Sequence, residues 1–80
     1  MSEEDPKDAN AWFDKGLALW AMGNYEAALE CFKKVTDELD PNLALGWKMR
    51  GIVLYRLGKK EEATKCNKMY IELREREVKS

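Results

Sequence analysis

The sequence has no histidine, only two cysteines and only two prolines. Without histidine the chain lacks the commonest general base and the commonest metal ligand, and two cysteine thiolates alone fall short of a structural zinc site. No nucleophile motif and no phosphate-binding glycine loop occurs either. We therefore expect no enzyme activity, no metal site and no cofactor.

Long hydrophobic runs are also missing from the chain. No run of about 18 apolar residues is present, so no segment is predicted to span a bilayer, and we expect no membrane partner. The N-terminal residues Met1 to Asp5 are acidic and lack the apolar core of a secretory leader. The expected location is therefore the cytoplasm, where thiols stay reduced.

Charge of one sign is not in excess, because the net charge is −1. The two halves nevertheless differ: residues 1–40 hold ten acids and four bases, a net of −6, whereas residues 41–80 hold five acids and ten bases, a net of +5. The bases of the second half are interleaved with glutamates, which disfavours nucleic acid as a partner. Polarity of this kind instead favours electrostatic steering and head-to-tail contacts between proteins.

What the sequence does contain is an internal repeat with a period of 35 residues. Periods of this length are typical of helical-repeat proteins. The chain is therefore interpreted as a duplication. The identities that a shift of 35 positions aligns are Asp5-Pro6 with Asp40-Pro41, Ala9 with Ala44, Trp12 with Trp47, Gly16 with Gly51, Leu19 with Leu54, Gly23 with Gly58, Glu26 with Glu61, Ala28 with Ala63, Cys31 with Cys66, and Lys33 with Lys68.

Each unit of the duplication is predicted to be a helix, a turn and a second helix. Asp5 and Asp40 are candidate N-caps, and the proline after each suits the first helical position. Gly23 and Gly58 are predicted to end the first helix of each unit, because glycine takes left-handed backbone angles without penalty. We expect helices near residues 6–22, 25–38, 41–57 and 60–77.

Two further glycines fall inside predicted helices, where glycine costs about 1 kcal/mol relative to alanine. Gly16 and Gly51 therefore need a packing reason. We expect Ala28 to face Gly16, and Ala63 to face Gly51, so that the two helices of each hairpin approach closely. The two cysteines, at equivalent places in the repeats, are predicted to be small apolar filler too far apart for a disulfide.

The spacing Trp12-x3-Gly16-x2-Leu19-x3-Gly23-x4-Ala28-x3-Phe32, closing on Leu39-Asp40-Pro41, resembles the tetratricopeptide repeat, whose usual period is about 34 residues. The resemblance implies an all-α fold of two tandem helix-turn-helix hairpins, with four antiparallel helices stacked as a short right-handed α-solenoid. It also implies one domain over residues 1–80. The expected parts are repeat one near 6–40, repeat two near 41–76, and a polar C-terminal end at 77–80.

The sequence departs from the family pattern in three ways. The first unit carries one extra residue, which we place near residues 36–39. Asn67 stands where the first repeat has Phe32, which makes that face of the last helix less apolar. Only two repeats are present, whereas stacked hairpins generally need about three, so the chain is a fragment of a longer array, ends in a polar cap, or self-associates. The candidates for self-association are Met69, Tyr70 and Ile71.

The resemblance also indicates a binding surface, because in this family the first helix of each hairpin lines a concave face along which ligands lie. Phe13, Leu17 and Trp20 share one helix face, which serves either binding or self-association, or else burial within the domain. The groove that the resemblance implies consists of Asn10, Phe13, Asp14, Leu17, Trp20, Ala21, Leu45, Lys48, Met49, Ile52, Tyr55 and Arg56.

Two functions from different classes remain. The first is a scaffold or adaptor that binds a peptide or helix of a partner protein, and the second is a structural unit that forms its own oligomer. Family members that grip acidic chaperone tails use a clamp of lysine, asparagine and arginine, whereas this chain has Phe13, Leu17 and Met49 at the matching places. We therefore expect a partly apolar ligand.

Overall fold

The computed structural model describes residues 8–79, and these residues are almost entirely helical. The first helix of each hairpin packs against the second, and α3 also packs against α2. The described residues contain no strand, so the predicted all-α class with two tandem hairpins is confirmed. The predicted cap and proline at residues 5 and 6 lie outside the described residues. The elements are α1 (Ala9–Ala21), α2 (Tyr25–Lys34), a π-helix (Val35–Leu39), α3 (Ala44–Arg56) and α4 (Lys60–Lys79).

The start of α1 and the C-terminal ends of α1 and α3 follow ordinary capping rules. The Asp8 carboxylate accepts hydrogen bonds from the backbone N–H groups of Asn10 and Ala11, at 3.0 and 3.3 Å, and so caps α1. Gly23 and Gly58 have positive φ angles of 82° and 85°. The N–H group after each glycine donates back to a carbonyl five residues earlier, at 2.9 and 2.8 Å, which satisfies the helix end. The predicted glycine stops are confirmed.

The predicted start of the third helix at Asp40-Pro41 is wrong, because α3 begins at Ala44. The residue before a proline is disfavoured in the α conformation, and Asp40 has an extended φ of −153°. Its carboxylate instead accepts from the N–H of Asn42 at 3.3 Å, within the turn before the helix. The carbonyl of Pro41 accepts a hydrogen bond of 2.7 Å from the Trp47 indole N–H.

The π-helix accommodates the extra residue of the first repeat. The N–H of Asp40 donates to the carbonyl of Val35 at 2.8 Å, a step of five residues where an α-helix would use four. One residue is thereby added without ending the helix, at the place where the repeat length predicts it. Thr36 in this segment is buried, and its hydroxyl donates to the Phe32 carbonyl at 3.1 Å and accepts from Arg50 of α3 at 2.7 Å. The π-helix thus links the two hairpins.

The two helical glycines allow close packing, but their neighbours differ from one hairpin to the other. A Cβ atom at Gly16 would lie 2.6 Å from Cε1 of Phe32, so the closest contact is this aromatic ring, one helical turn beyond the expected neighbour Ala28. A Cβ atom at Gly51 would lie 3.3 Å from the carbonyl oxygen of Ala63, which is the expected neighbour. The buried core between the helices consists of Ala28, Leu29, Phe32, Val53, Leu54, Ala63 and Cys66.

Both cysteines lie inside the domain as reduced thiols, in agreement with their predicted role as small filler. Cys31 and Cys66 are each 4% exposed and are not joined in a disulfide. Burial raises the pKa of the Cys66 thiol above its ordinary value, and the positive charge of Arg50 only partly opposes this effect. The thiol is therefore neutral at pH 7 and a poor nucleophile.

We expect both thiols to react with a disulfide reagent at least about tenfold more slowly in the native chain than in denaturing urea, because both side chains are buried. Rates measured by absorbance in the two conditions check this. The raised pKa of Cys66 also makes the stability of the domain depend on pH. The neutral thiol contributes to the free energy of unfolding below the ordinary thiol pKa, and this contribution is lost as the pH rises through the raised pKa. Equal labelling rates in buffer and in urea would contradict the buried positions.

Candidate functional site

All twelve groove residues implied by the sequence lie on α1 or α3, and none of them is fully buried. Five are half-buried, and these are all large and apolar: Phe13, Leu17, Trp20, Met49 and Ile52. The exposed ones are Asn10, Asp14, Ala21, Leu45, Lys48, Tyr55 and Arg56.

The half-buried side chains on α1 take part in the hydrophobic core. Phe13, Leu17 and Trp20 pack against the buried cluster, and the Phe13 ring lies 5.6 Å from the Phe32 ring between their centroids. That tilted ring pair fills the space between α1 and α2. Burial within the domain therefore accounts for part of the apolar face of α1, while some of each side chain remains accessible.

Four of the expected residues come together beside the second hairpin. Lys48, Ile52, Tyr55 and Arg56 line one side of an open cleft with a volume of about 540 Å³. This volume falls within the range of small ligand pockets. The cleft is completed by five residues that the groove prediction did not include, namely Gly51, Lys60, Ala63, Thr64 and Asn67.

The α4 side of the cleft was missed because the sequence reasoning placed all binding residues on the first helix of each hairpin. One signal for it was present, since Asn67 is aligned with Phe32. In the first hairpin Phe32 is fully buried and packs on Phe13. In the second hairpin the aligned residues, Asn67 and Lys48, are exposed and leave the space between α3 and α4 open.

The electrostatic character of the cleft is positive. Lys48, Arg56 and Lys60 line it, and no aspartate or glutamate is among its lining residues. The ammonium group of Lys48 lies 5.3 Å from the centre of the Tyr70 ring, and that of Lys60 lies 6.0 Å from the Tyr55 ring. These cation–π contacts hold the charged groups near the cleft while leaving their donors available.

The self-association candidates lie on a second, shallower surface of α4. Ile71 is 46% exposed, whereas Met69 and Tyr70 are half-buried. The Tyr70 hydroxyl accepts from Arg74 at 3.1 Å, which fixes one side of this surface. A depression of about 360 Å³ is lined by Tyr70, Ile71, Arg74, Glu75 and Val78, so Met69 is outside it.

The comparisons with known proteins agree with this architecture. A family model described as the tetratricopeptide repeat matches residues 9–37, which cover α1, α2 and the start of the π-helix. The chain also superposes on the crystal structure of MamA with a TM-score of 0.85 and 26% sequence identity over 90% of its length. The chain is thus similar to the tetratricopeptide repeat family, and the two matches together support that assignment. It spans 42% of the length of the MamA chain, and no curated protein matches it.

Tetratricopeptide repeats generally mediate protein–protein interaction and are typically non-catalytic scaffolds. Within residues 8–79, no three side chains of the types that bind metals come together in a group that could hold an ion. None of the helices in this part of the chain is long and apolar enough to cross a bilayer. The most prominent surface features of the described residues are the open cleft between α3 and α4 and the half-buried apolar side chains of α1 and α3.

Proposed function

We propose that the chain is an adaptor module that binds a peptide or helix segment of a partner protein along the surface formed by α1 and α3. The observation that carries the proposal is the open cleft at the α3 end of this surface, where Ile52 is half-buried and Tyr55 is 62% exposed. A partly apolar concave site of this size suits side chains of a bound segment better than a flat surface does. The proposed domain comprises residues 1–80, with repeats near 6–40 and 41–76 and a polar end at 77–80.

The chemistry of the surface favours packing over recognition of charge alone. Its α1 part offers Phe13, Leu17 and Trp20, and its α3 part adds Met49 and Ile52, all of them large and apolar. Aromatic and aliphatic side chains of this kind anchor binding partners when they become fully desolvated. A purely acidic tail would leave them unused, so we propose a segment that brings apolar anchors of its own.

The double substitution Leu17→Glu/Ile52→Glu is expected to abolish binding, because it puts two carboxylates into the apolar part of the surface. A random peptide library selected on the immobilised wild-type chain supplies the ligands. Their affinities for the wild type and the double variant are then compared by fluorescence anisotropy, with an expected loss of about 100-fold. The exposed substitution Ala18→Glu on α1 is the control for added charge.

Circular dichroism decides whether the double variant remains helical, and single substitutions replace it if its melting temperature falls below the assay range. Peptides that bind the wild type and the double variant equally would place their site elsewhere. Failure of the selection to yield any peptide that binds the wild type would contradict the adaptor function.

A structural unit that forms its own oligomer is the alternative, favoured by the exposure of Ile71 and of Val78, which is 81% accessible. Sedimentation velocity over a dilution series separates the two functions. A monomer with an accessible groove supports the adaptor, whereas a stable oligomer that is broken by Ile71→Glu supports self-association. A fragment of a longer repeat array remains a further alternative, since the chain matches 42% of the length of MamA.

A further inference from the structure

The 35-residue shift relates each residue of the cleft to a residue in the first hairpin. Four positions that are apolar in the first hairpin, and that belong to the core or pack against it, are polar in the second. All four of the polar residues line the cleft between α3 and α4. The aligned pairs are Phe13 with Lys48, Tyr25 with Lys60, Leu29 with Thr64, and Phe32 with Asn67.

These replacements separate the floor of the cleft from its edge. The floor keeps its small and apolar residues, because Gly51 and Ala63 repeat the Gly16 and Ala28 of the first hairpin. The edge carries two lysines, an asparagine and a threonine where the first hairpin has aromatic rings and leucine. In the first hairpin the equivalent apolar residues belong to the core or pack against it. A third hairpin packed in the same way on the second would bury lysine ammonium groups, and their desolvation would cost free energy.

The cleft floor has room for an aromatic side chain. In the first hairpin the Phe32 ring occupies the equivalent space, because its atoms lie within 3.0 Å of a Cβ atom built at Gly16. In the second hairpin α4 itself lies directly over Gly51, since a Cβ atom there would be 3.3 Å from the Ala63 carbonyl oxygen and from Cβ of Cys66, and the open volume of about 540 Å³ lies beside this contact. Asn67 stands where the phenylalanine would be, and Tyr55 is the one aromatic residue among the lining residues of the cleft.

The charges around this space favour particular residues on either side of the aromatic residue in a bound segment. Lys48, Arg56 and Lys60 line the cleft without any carboxylate among the lining residues. Cations arranged in this way attract carboxylates on the approaching segment and repel a basic one. The Thr64 hydroxyl already donates to the Lys60 carbonyl at 3.0 Å, so its oxygen can accept from the bound segment.

We propose that the cleft between α3 and α4 binds an acidic segment of a partner protein by taking up one aromatic side chain over Gly51 and Ala63, with neighbouring carboxylates paired to Lys48, Arg56 and Lys60. The proposal rests on the adaptor function and names the ligand class for its α3 end. It differs from recognition of a purely acidic tail, because the ring supplies the packing and the carboxylates supply orientation.

Fluorescein-labelled synthetic peptides test the ligand class directly. The first has one phenylalanine between glutamates, the second has serine in place of the phenylalanine, and the third has lysines in place of the glutamates. Fluorescence anisotropy at low salt is expected to show binding of the first peptide and at least about tenfold weaker binding of each of the others. Raised salt is expected to weaken the first complex by screening its charges. Equal affinities for all three peptides would overturn the proposal.

Two substitutions in the cleft test whether the peptide binds there. Each has a matched control, in which the same type of residue is changed in the same way outside the cleft. Asn67→Phe is expected to fill the space for the ring and to weaken binding at least about tenfold while the helical content stays the same, whereas Asn42→Phe in the exposed turn before α3 should leave the affinity unchanged. Lys60→Gln is expected to weaken binding of the glutamate peptide, whereas Lys68→Gln on α4 outside the cleft should not. Unchanged affinity in both Asn67→Phe and Lys60→Gln would refute the assignment of the site.

The failure of this proposal can be told apart from failure of the adaptor function. If peptides from the random selection bind but are not weakened by Asn67→Phe, the adaptor function stands and the ligand class for the cleft is wrong. If a second copy of the chain occupies the cleft, sedimentation will show a dimer that Asn67→Phe abolishes, and that outcome also overturns the proposal. Binding of the glutamate–phenylalanine peptide to a monomer, lost in Asn67→Phe, supports it.

Discussion

Gly16→Leu is expected to destabilise the domain by about 3 kcal/mol, because a side chain at this position overlaps the ring of Phe32. A Cβ atom there would lie 2.6 to 3.0 Å from three atoms of that ring, before any further carbon of leucine is added. The ring itself is fully buried. For a domain of this size the loss corresponds to a fall in melting temperature of roughly 10–25 °C, measurable by circular dichroism.

The control for Gly16→Leu is Ala18→Leu, which adds leucine to the same helix at an exposed position. Its melting temperature should stay within a few degrees of the wild type, since surface changes on a helix are mostly small. The double variant Gly16→Ala/Phe32→Leu should be more stable than Gly16→Ala alone, because the shorter side chain removes the contact with the new methyl group. A melting temperature for Gly16→Leu that matches the wild type would contradict the packing of α1 on α2.

The close approach at Gly16 shows how far the repeat pattern predicts the fold. The recurrence of Gly16 and Gly51 predicted that both positions need space, and both are buried between the helices of a hairpin. The Phe32 ring at Gly16 was not predicted, because sequence spacing identifies which residues share a face, whereas side-chain rotamers decide which atom lies nearest to the glycine. Phe32 lies one helical turn beyond Ala28 and its ring reaches back over the space.

Some helix boundaries can be predicted from the sequence pattern, whereas others depend on local hydrogen bonds. The glycine stops at Gly23 and Gly58 were predictable, because positive φ strongly selects glycine. The start of α3 was not predictable in this way. The aspartate–proline pair fits an N-cap by composition, but here it forms a turn that is stabilised by hydrogen bonds from the Asn42 N–H and the Trp47 indole. The π-helix at Val35–Leu39 was indicated only as one extra residue; its hydrogen-bond pattern needs the structure.

The cleft between α3 and α4 could be predicted from the sequence only in part. Alignment of the repeats identified Asn67 as a substitution for a bulky residue, which predicted a less apolar face on the last helix but said nothing about a cavity. A cavity depends on whether neighbouring side chains move in to fill the space, and a pattern of residue types does not contain that information. Four of the lining residues on α3 were among the predicted groove residues because the family resemblance implies them, whereas Gly51 and the lining residues on α4 were not predicted.

Phe32→Asn is expected to destabilise the domain by about 4 kcal/mol or more, which is close to the total stability of many domains of this size. Removing a buried aromatic side chain costs roughly 3–5 kcal/mol, and an amide left in its place adds the cost of burying a polar group. Phe32 is fully buried, packs on Phe13 and covers Gly16. Because an 80-residue domain has an expected stability of roughly 4–12 kcal/mol, a large fraction of this variant should be unfolded without denaturant.

The reciprocal change at the aligned position has the opposite expected sign. Asn67→Phe puts the same side chain into an open, partly apolar cleft, where it should leave the stability unchanged or raise it by about 1 kcal/mol. Urea unfolding followed by circular dichroism compares the two variants with the wild type. Equal losses in both variants would mean that the two hairpins pack alike and that the second has no unfilled space. A large loss confined to Phe32→Asn means that the first hairpin keeps its ring for stability, whereas the second has left the equivalent space open.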